Sequence, residues 1–110
     1  MKFAIPTLNN EITAHFGHCD KFAIIETTDN VIIKEEIHTP PVHQPGSYPK
    51  FLAKKGVNVI IAGGMGQKAQ DLFAQNNIKV HLGVITGTAK KLVEDHINNQ
   101  LKTGGNLCDH

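Results

Sequence analysis

The sequence predicts an α/β protein with a mixed β-sheet, on three observations. Two β-branched runs in the first half are separated by Asp29 and Asn30, a pair typical of a tight hairpin turn. From Val57 onward, apolar strands alternate with amphipathic helices, which is the pattern of parallel β-α-β units. The length of 110 residues suits one compact core. We therefore expect an antiparallel hairpin at one side of the sheet, parallel strands at the other, and helices on its faces.

Each element has its own signal in the chain. The strands are predicted at five places: Lys2 to Pro6, Phe22 to Thr27, Val31 to Ile37, "VNVIIA" from Val57 and "NIKVHL" from Asn77. The helices are predicted in "YPKFLAKK", in "QKAQDLFAQ" and after Thr88. Ser47 and Thr88 can cap the first and last helices, and Gly56 suits the end of the first. His96 continues the apolar stripe of the last helix, which favours a structural role for it.

The charge composition argues against several classes of protein. All eleven basic residues are lysine, and the formal net charge is +1. Arginine is the usual residue for contacting phosphates and guanine edges, so its absence disfavours a nucleic-acid partner. The apolar run after Lys2 is too short for a signal-peptide core, and no run is long enough to span a membrane. We therefore expect a cytoplasmic protein without a membrane partner.

The glycine turn "GGMG", Gly63 to Gly66, is the first place that could bind a ligand. It follows an apolar strand and opens a helix, so amide hydrogens and the helix dipole would favour an anion there. The turn is neither a dinucleotide fingerprint nor a P-loop, so it gives little support for nucleotide binding. A tight strand-to-helix connection without a ligand is the alternative interpretation.

The stretch "HFGHC" is the second place. Its imidazoles and thiol, from His15, His18 and Cys19, suit borderline or soft metals such as zinc, copper or iron-sulfur centres. The spacing is not that of a zinc-finger half, and a histidine in such a loop is often only a surface residue.

Two further segments carry histidine or cysteine. The terminal "CDH" offers Cys108 and His110 as another thiol-imidazole pair, although a polar, glycine-flanked end of a chain is often frayed. The proline-containing loop carries His38 and His43, and it is either a lid over a ligand or a solvated connection.

Two alternative functions follow from the cysteines. Cys19 could be the nucleophile of a small thiol enzyme if His15 or His18 lowered its pKa. Cys19, Cys108 and nearby histidines could instead hold zinc in an interaction subunit. A two-metal nuclease is disfavoured because the first strand has no acidic residue.

Three stretches together resemble the dinitrogenase iron-molybdenum cofactor biosynthesis family. They are "HFGHCDKFAII", "HTPPVHQPGSYPKFLAKKGVNVIIAGGMG" and "AQDLFAQNNIKVHLGV". Within the family, the chain resembles the small stand-alone domains and the orange protein of sulfate reducers. The resemblance implies a ribonuclease-H-like three-layer α/β/α fold with a five-stranded mixed sheet. We assign residues 1–102 to this domain and 103–110 to a flexible, glycine-containing tail.

The resemblance also implies a function. It implies a binding or carrier protein, not an enzyme, for an anionic metal-sulfur cluster: an iron-molybdenum cofactor precursor or a molybdenum-copper sulfide cluster. Cluster-assembly proteins would be its partners, and it would be a monomer or a weak homodimer. The residues expected to contact the cluster are His15, His43, Gly63, Gly64, Met65 and Gly66. The candidate metal ligands are His15, His18, Cys19, Cys108 and His110, of which Cys19, Cys108 and His110 fall outside the general family pattern.

Overall fold

A computed structural model of the protein describes residues 1–14, 16–42, 46–84, 86–101 and 103–104, with the backbone alone at His18. The strands are β1 (Lys2–Leu8), β2 (Glu11–Ile12), β3 (Lys21–Thr28), β4 (Val31–His38), β5 (Val59–Ile61) and β6 (Lys79–His81). The helices are α1 (Ser47–Lys54), α2 (Gln67–Gln75) and α3 (Ala89–Ile97), with a short 3-10 turn at Phe16–His18. Among these residues no helix is both long enough and apolar enough to cross a lipid bilayer.

The strands form one mixed sheet in the order β4-β3-β1-β5-β6, with β2 paired to β1. The β4-β3-β1 side is antiparallel and the β1-β5-β6 side is parallel, as the sequence predicts. The sheet has six strands within the described residues, whereas five were predicted. The additional strand is β2, which returns on β1 through Asn9 and Asn10, both with positive φ. Two residues are too few to show the alternation that marks a strand.

The hairpin between β3 and β4 has the predicted turn. Asp29 and Asn30 have φ values of 51° and 63°, and Thr28 pairs directly with Val31. Positive φ at both central residues is the geometry of a type I′ turn, whose twist matches that of the flanking strands. The interpretation of the "DN" pair is therefore confirmed.

Alternate residues of the central strands enter two separate cores. Ala4, Phe22 and Ile60 point toward α1 and α2, where Leu52 and Phe73 complete a cluster that is almost fully buried. The neighbouring strand residues point to the other face, where they pack against α3; they include Phe3, Ile5, Ala23, Ile25 and Ile61. Burying each large side chain contributes about 1.5–3 kcal/mol. The helices therefore lie on both faces of the sheet.

The helix ends agree with the sequence in two places and differ in one. Thr88 caps α3, since its Oγ1 accepts a hydrogen bond from the Lys91 N–H at 3.4 Å. Gly56 follows α1 with φ +80°, and its N–H donates to the Ala53 carbonyl at 3.0 Å. The prediction that Ser47 caps α1 is wrong, because Ser47 is already helical and the N-cap is Gly46 at φ 81°. Glycine adopts that left-handed conformation without the steric cost that serine would carry.

Candidate functional site

The glycine turn lies at the carboxyl end of a central parallel strand. The residues of β5 are 5% exposed or less, and the chain passes from them through Ala62 into Gly63–Gly66 and α2. Gly63, Gly64 and Met65 are buried, and Gly66 is exposed. Carboxyl ends of parallel strands are where α/β proteins commonly bind ligands, so the turn stands at a favourable edge of the sheet.

Hydrogen bonds from three directions hold the carbonyl groups of the turn. The Gly63 oxygen accepts from the Gly83 N–H at 2.9 Å, and the Gly64 oxygen accepts from the Phe16 N–H at 3.4 Å. The Met65 oxygen accepts from Gln70 Nε2 at 3.1 Å. The protein itself therefore satisfies three successive carbonyls, and the conformation of the turn needs no ligand to maintain it.

The amino end of α2 is open to solvent. Gly66 is its N-cap, with φ −66° and ψ 156°, and it has no side chain to accept a hydrogen bond from the first turn. A Cβ added at Gly66 would meet no heavy atom within 4 Å. Neither backbone conformation nor internal packing therefore requires glycine here. An anion could approach the first amides of the helix through this space.

The loop that contains "HFG" is tied to both the sheet and the glycine turn. The Thr13 N–H donates to the Pro6 carbonyl at 3.1 Å, and the Asp20 N–H donates to the Thr7 carbonyl at 2.9 Å. Between these anchors, the Phe16 backbone reaches Gly64 through the hydrogen bond already described. His15 itself lies outside the described residues. The "HFG" loop, which the sequence predicts to carry a ligand, is therefore hydrogen-bonded to the glycine turn, which the sequence predicts to bind an anion.

The buried side chain of Phe16 anchors the loop to the core. It is 5% exposed, and its ring lies edge-on to Tyr48 and Phe73, with centroid distances of 5.2 and 5.5 Å. Phe22 completes this aromatic group at 6.2 Å. We did not single out Phe16 in the sequence, although an apolar residue between two polar ones in a loop is a signal of an anchor. Its burial makes it the residue that positions "HFG".

Cys19 lies beside this aromatic group, partly buried against the core between the sheet and α1. Burial is the main cause that raises the pKa of its thiol from 9.0 to about 11. A hydrogen bond with Tyr48 acts in the opposite direction but is weaker. The thiol-enzyme hypothesis required a lowered pKa at Cys19. That expectation is wrong, because desolvation disfavours the thiolate.

The other predicted site residues are distributed as follows. Met65, which was expected to contact the cluster, is 1% exposed, and its side chain packs in the core between the sheet and α2. His43, Cys108 and His110 lie outside the described residues, as does the side chain of His18. Within the described part of the chain, no three His, Cys, Asp or Glu residues are grouped to hold a metal ion.

The segment after α3 contacts Leu82 and Gly83, which lie next to the glycine turn. The Gly104 N–H donates to the Leu82 carbonyl at 3.1 Å. A Cβ added at the adjacent Gly83, which has φ +81°, would lie 2.3 Å from the Gly104 nitrogen. Since Gly83 also donates to Gly63, the segment after α3 passes directly beside the connection that supports the turn.

Known proteins share this architecture. The uncharacterized protein MJ0580 of Methanocaldococcus jannaschii is 37% identical over 86 residues, which are 74% of this chain and 73% of the relative. The crystal structure of PH0822 superposes with a TM-score of 0.90 at 23% identity, covering all of both chains. The apo form of the orange protein from Desulfovibrio gigas gives a TM-score of 0.77 at 19% identity, covering 96% of this chain and 93% of that one. At these identities the two structures support the fold alone.

Membership in a family rests on the sequence. The family described as dinitrogenase iron-molybdenum cofactor matches residues 1–102, which is nearly the whole chain. The match includes both "HFG" and "GGMG", the two segments that the hydrogen bond from Phe16 to Gly64 joins. The resemblance found in the sequence is confirmed, and the chain belongs to the dinitrogenase iron-molybdenum cofactor family.

Proposed function

We propose that this protein binds an anionic metal-sulfur cluster as cargo and carries it to cluster-assembly proteins. Family membership supports a cofactor-related binding or carrier role. The observation that carries the proposal is the hydrogen bond from the Phe16 N–H to the Gly64 carbonyl, because the "HFG" loop there lies beside the turn that opens α2. The cargo would be an iron-molybdenum cofactor precursor or a molybdenum-copper sulfide cluster.

The open end of α2 suits such a cargo. A thiometallate cluster is a polyanion whose sulfur atoms accept hydrogen bonds, and a helix N-terminus offers both amide donors and a positive dipole end. The space beside Gly66 would let the cluster approach those amides. No acidic residue lies in the first turn of α2 to repel it.

The individual residues have different roles in the proposal. His15 and His43 would face the cluster from their loops, and Gly63 and Gly64 would shape the turn. Met65 would contribute through its backbone, since its side chain is buried. His18, Cys19, Cys108 and His110 are retained as candidate ligands to the metal.

The proposal also includes the domain bounds, the fold classification, the cellular location and the oligomeric state. We retain a domain over residues 1–102, which the extent of the family match supports, followed by a tail over 103–110. The ribonuclease-H-like classification, a cytoplasmic location and a monomeric or weakly dimeric state also stay predictions.

Anaerobic titration of the purified protein with tetrathiomolybdate and Cu(I), or with tetrathiomolybdate and Fe(II), tests the function. We expect a visible absorption band that saturates with the cluster components and stays with the protein on gel filtration. His15→Ala should weaken this binding at least about tenfold, because it removes one close contact to the cluster.

His38→Ala is the matched control, because His38 is a histidine of β4 whose ring interacts with Glu36 and the edge of Phe51, away from the glycine turn. It should bind as the unchanged protein does. If neither protein shows a saturable band, the carrier proposal fails. Stoichiometric zinc in the anaerobically purified protein, lost in a Cys19→Ser, Cys108→Ser variant, would instead favour the zinc-binding interaction subunit.

A further inference from the structure

Two histidines from distant parts of the sequence meet on the α3 side of the sheet. His81 ends β6, and His96 lies in the last turn of α3. Their ring centroids are 5.2 Å apart, with an angle of 55° between the ring planes. Both residues are partly buried, so the rings are held near each other at the surface of the α3 layer.

The surrounding structure fixes both rings. His81 pairs with Ile61 in the parallel register of β5 and β6, and Ile61 belongs to the core under α3. The His96 ring lies edge-on to Phe3, at a centroid distance of 5.1 Å, and Phe3 is 1% exposed. A rigid strand and a packed helix therefore position the two side chains, as a preorganised site requires.

Neither imidazole has a hydrogen-bond partner among the residues that the structure describes. Burial, the neighbouring His96 and Lys79 all lower the pKa of His81. The neutral imidazole ring is the form of histidine that binds metal ions.

We propose that His81 and His96 together bind one divalent late transition-metal ion, such as Ni²⁺, Cu²⁺ or Zn²⁺. Imidazole is a preferred ligand for these ions. Water would complete the coordination, since no third His, Cys, Asp or Glu is grouped with the pair in the described part of the chain. His96 also lines an open groove of about 740 Å³, so its ring can be reached from solvent.

This site is separate from the proposed cluster site. The pair lies in the α3 layer, whereas Phe16 packs on the opposite face of the sheet, between the sheet and α1. A protein that fails to bind a metal-sulfur cluster could still bind an ion at the pair, and the reverse also holds. The failure of one proposal is therefore distinguishable from the failure of the other.

Titration with Ni²⁺ at pH 7.5, followed by ¹H-¹³C correlation spectra of the histidine rings, tests the pair. Paramagnetic Ni²⁺ broadens the signals of all nuclei close to it, so the spectra show which histidines lie near a bound ion even if other ligands in the chain take up the metal. Two imidazoles that bind one ion bind it more tightly than one imidazole does, because the second is held at a high effective concentration. The His81 and His96 signals should broaden together at a Ni²⁺ concentration roughly tenfold or more below that needed for His38.

Single variants then separate chelation from mere proximity. In His96→Gln the half-broadening concentration of His81 should rise to that of His38, and His81→Gln should do the same for His96. Using both variants guards against the case in which loss of the Phe3 contact perturbs α3. The site does not exist if the His81 and His96 signals broaden at the same Ni²⁺ concentration as the His38 signal. It also does not exist if either variant leaves the half-broadening concentration of the remaining histidine unchanged.

Discussion

The backbone N–H of Phe16 donates to the carbonyl oxygen of Gly64 across 3.4 Å. These residues are 48 positions apart, and each belongs to a segment that the sequence marked for binding. The bond itself is long, so the buried ring of Phe16 carries most of the attachment between loop and turn. This division of roles leads to the first prediction.

Phe16→Ala should lower the free energy of unfolding by about 3–5 kcal/mol, the usual cost of removing a buried phenylalanine ring. The loss arises from the contacts with Tyr48 and Phe73. Urea unfolding followed by far-UV circular dichroism measures it. Val42→Ala is the control, because Val42 is 78% exposed and its truncation should change stability by less than about 0.5 kcal/mol. A Phe16→Ala protein as stable as the control would contradict the anchoring role.

Gly66→Ser should separate stability from cluster binding. Serine is at least as good an N-cap as glycine, and a Cβ at this position meets no other atom, so the stability should be unchanged or slightly higher. The new hydroxyl would accept a hydrogen bond from the first turn of α2 and fill the space that the cargo needs. We therefore expect a folded protein with at least about tenfold weaker cluster binding. Unaltered binding in the titration with tetrathiomolybdate would show that the cluster lies elsewhere.

Alkylation of Cys19 should be slow. A pKa of about 11 in place of 9.0 leaves roughly a hundredfold smaller thiolate fraction at pH 8, and the thiolate is the reactive form. Iodoacetamide labelling, resolved by mass spectrometry of the Cys19 peptide, measures the rate in the absence of metal. The same peptide in the urea-unfolded chain provides the reference, and the folded rate should rise as the pH approaches 11. Equal rates in folded and unfolded protein would contradict the raised pKa, and only a faster rate in the folded protein would restore the thiol-enzyme hypothesis.

Thr88→Ala should cost about 1 kcal/mol of stability, because it removes the side chain that accepts from the Lys91 N–H. Thr88→Ser should recover most of the loss. Thr86→Ala, at an exposed threonine two residues earlier, should be nearly neutral. Thermal unfolding of the three variants in parallel decides the matter, and equal effects of Thr86→Ala and Thr88→Ala would exclude the cap.

The sequence predicted most of the fold because its signals were local. The Asp29-Asn30 pair, the apolar run of β5 and the cap at Thr88 each need only a few neighbouring residues to be recognised, and all three are present. The errors concern features with weak or ambiguous local signals. Strand β2 is too short to show periodicity, and Ser47 was predicted to cap α1 although the N-cap is Gly46, whose left-handed conformation no residue pattern marked.

The candidate site was predictable only in part for a related reason. Residue types indicated that the "HFG" loop could bind a metal and that "GGMG" could bind an anion. The family resemblance related both segments to one metal-sulfur cluster. The raised pKa of Cys19, in contrast, depends on how deeply the loop packs against Tyr48. The meeting of His81 with His96 depends on the register of β6 and the placement of α3, which no local pattern contains.

Gly83 is a junction of three stretches of the chain. Its amide supports Gly63, and its α-carbon leaves no room for a side chain beside the backbone of Gly104. Any larger residue would have to push the final segment outward or pull the support from under the turn. The segment at Gly104 and the proposed cargo edge are therefore coupled through Gly83, and a single methyl group at position 83 would disturb both.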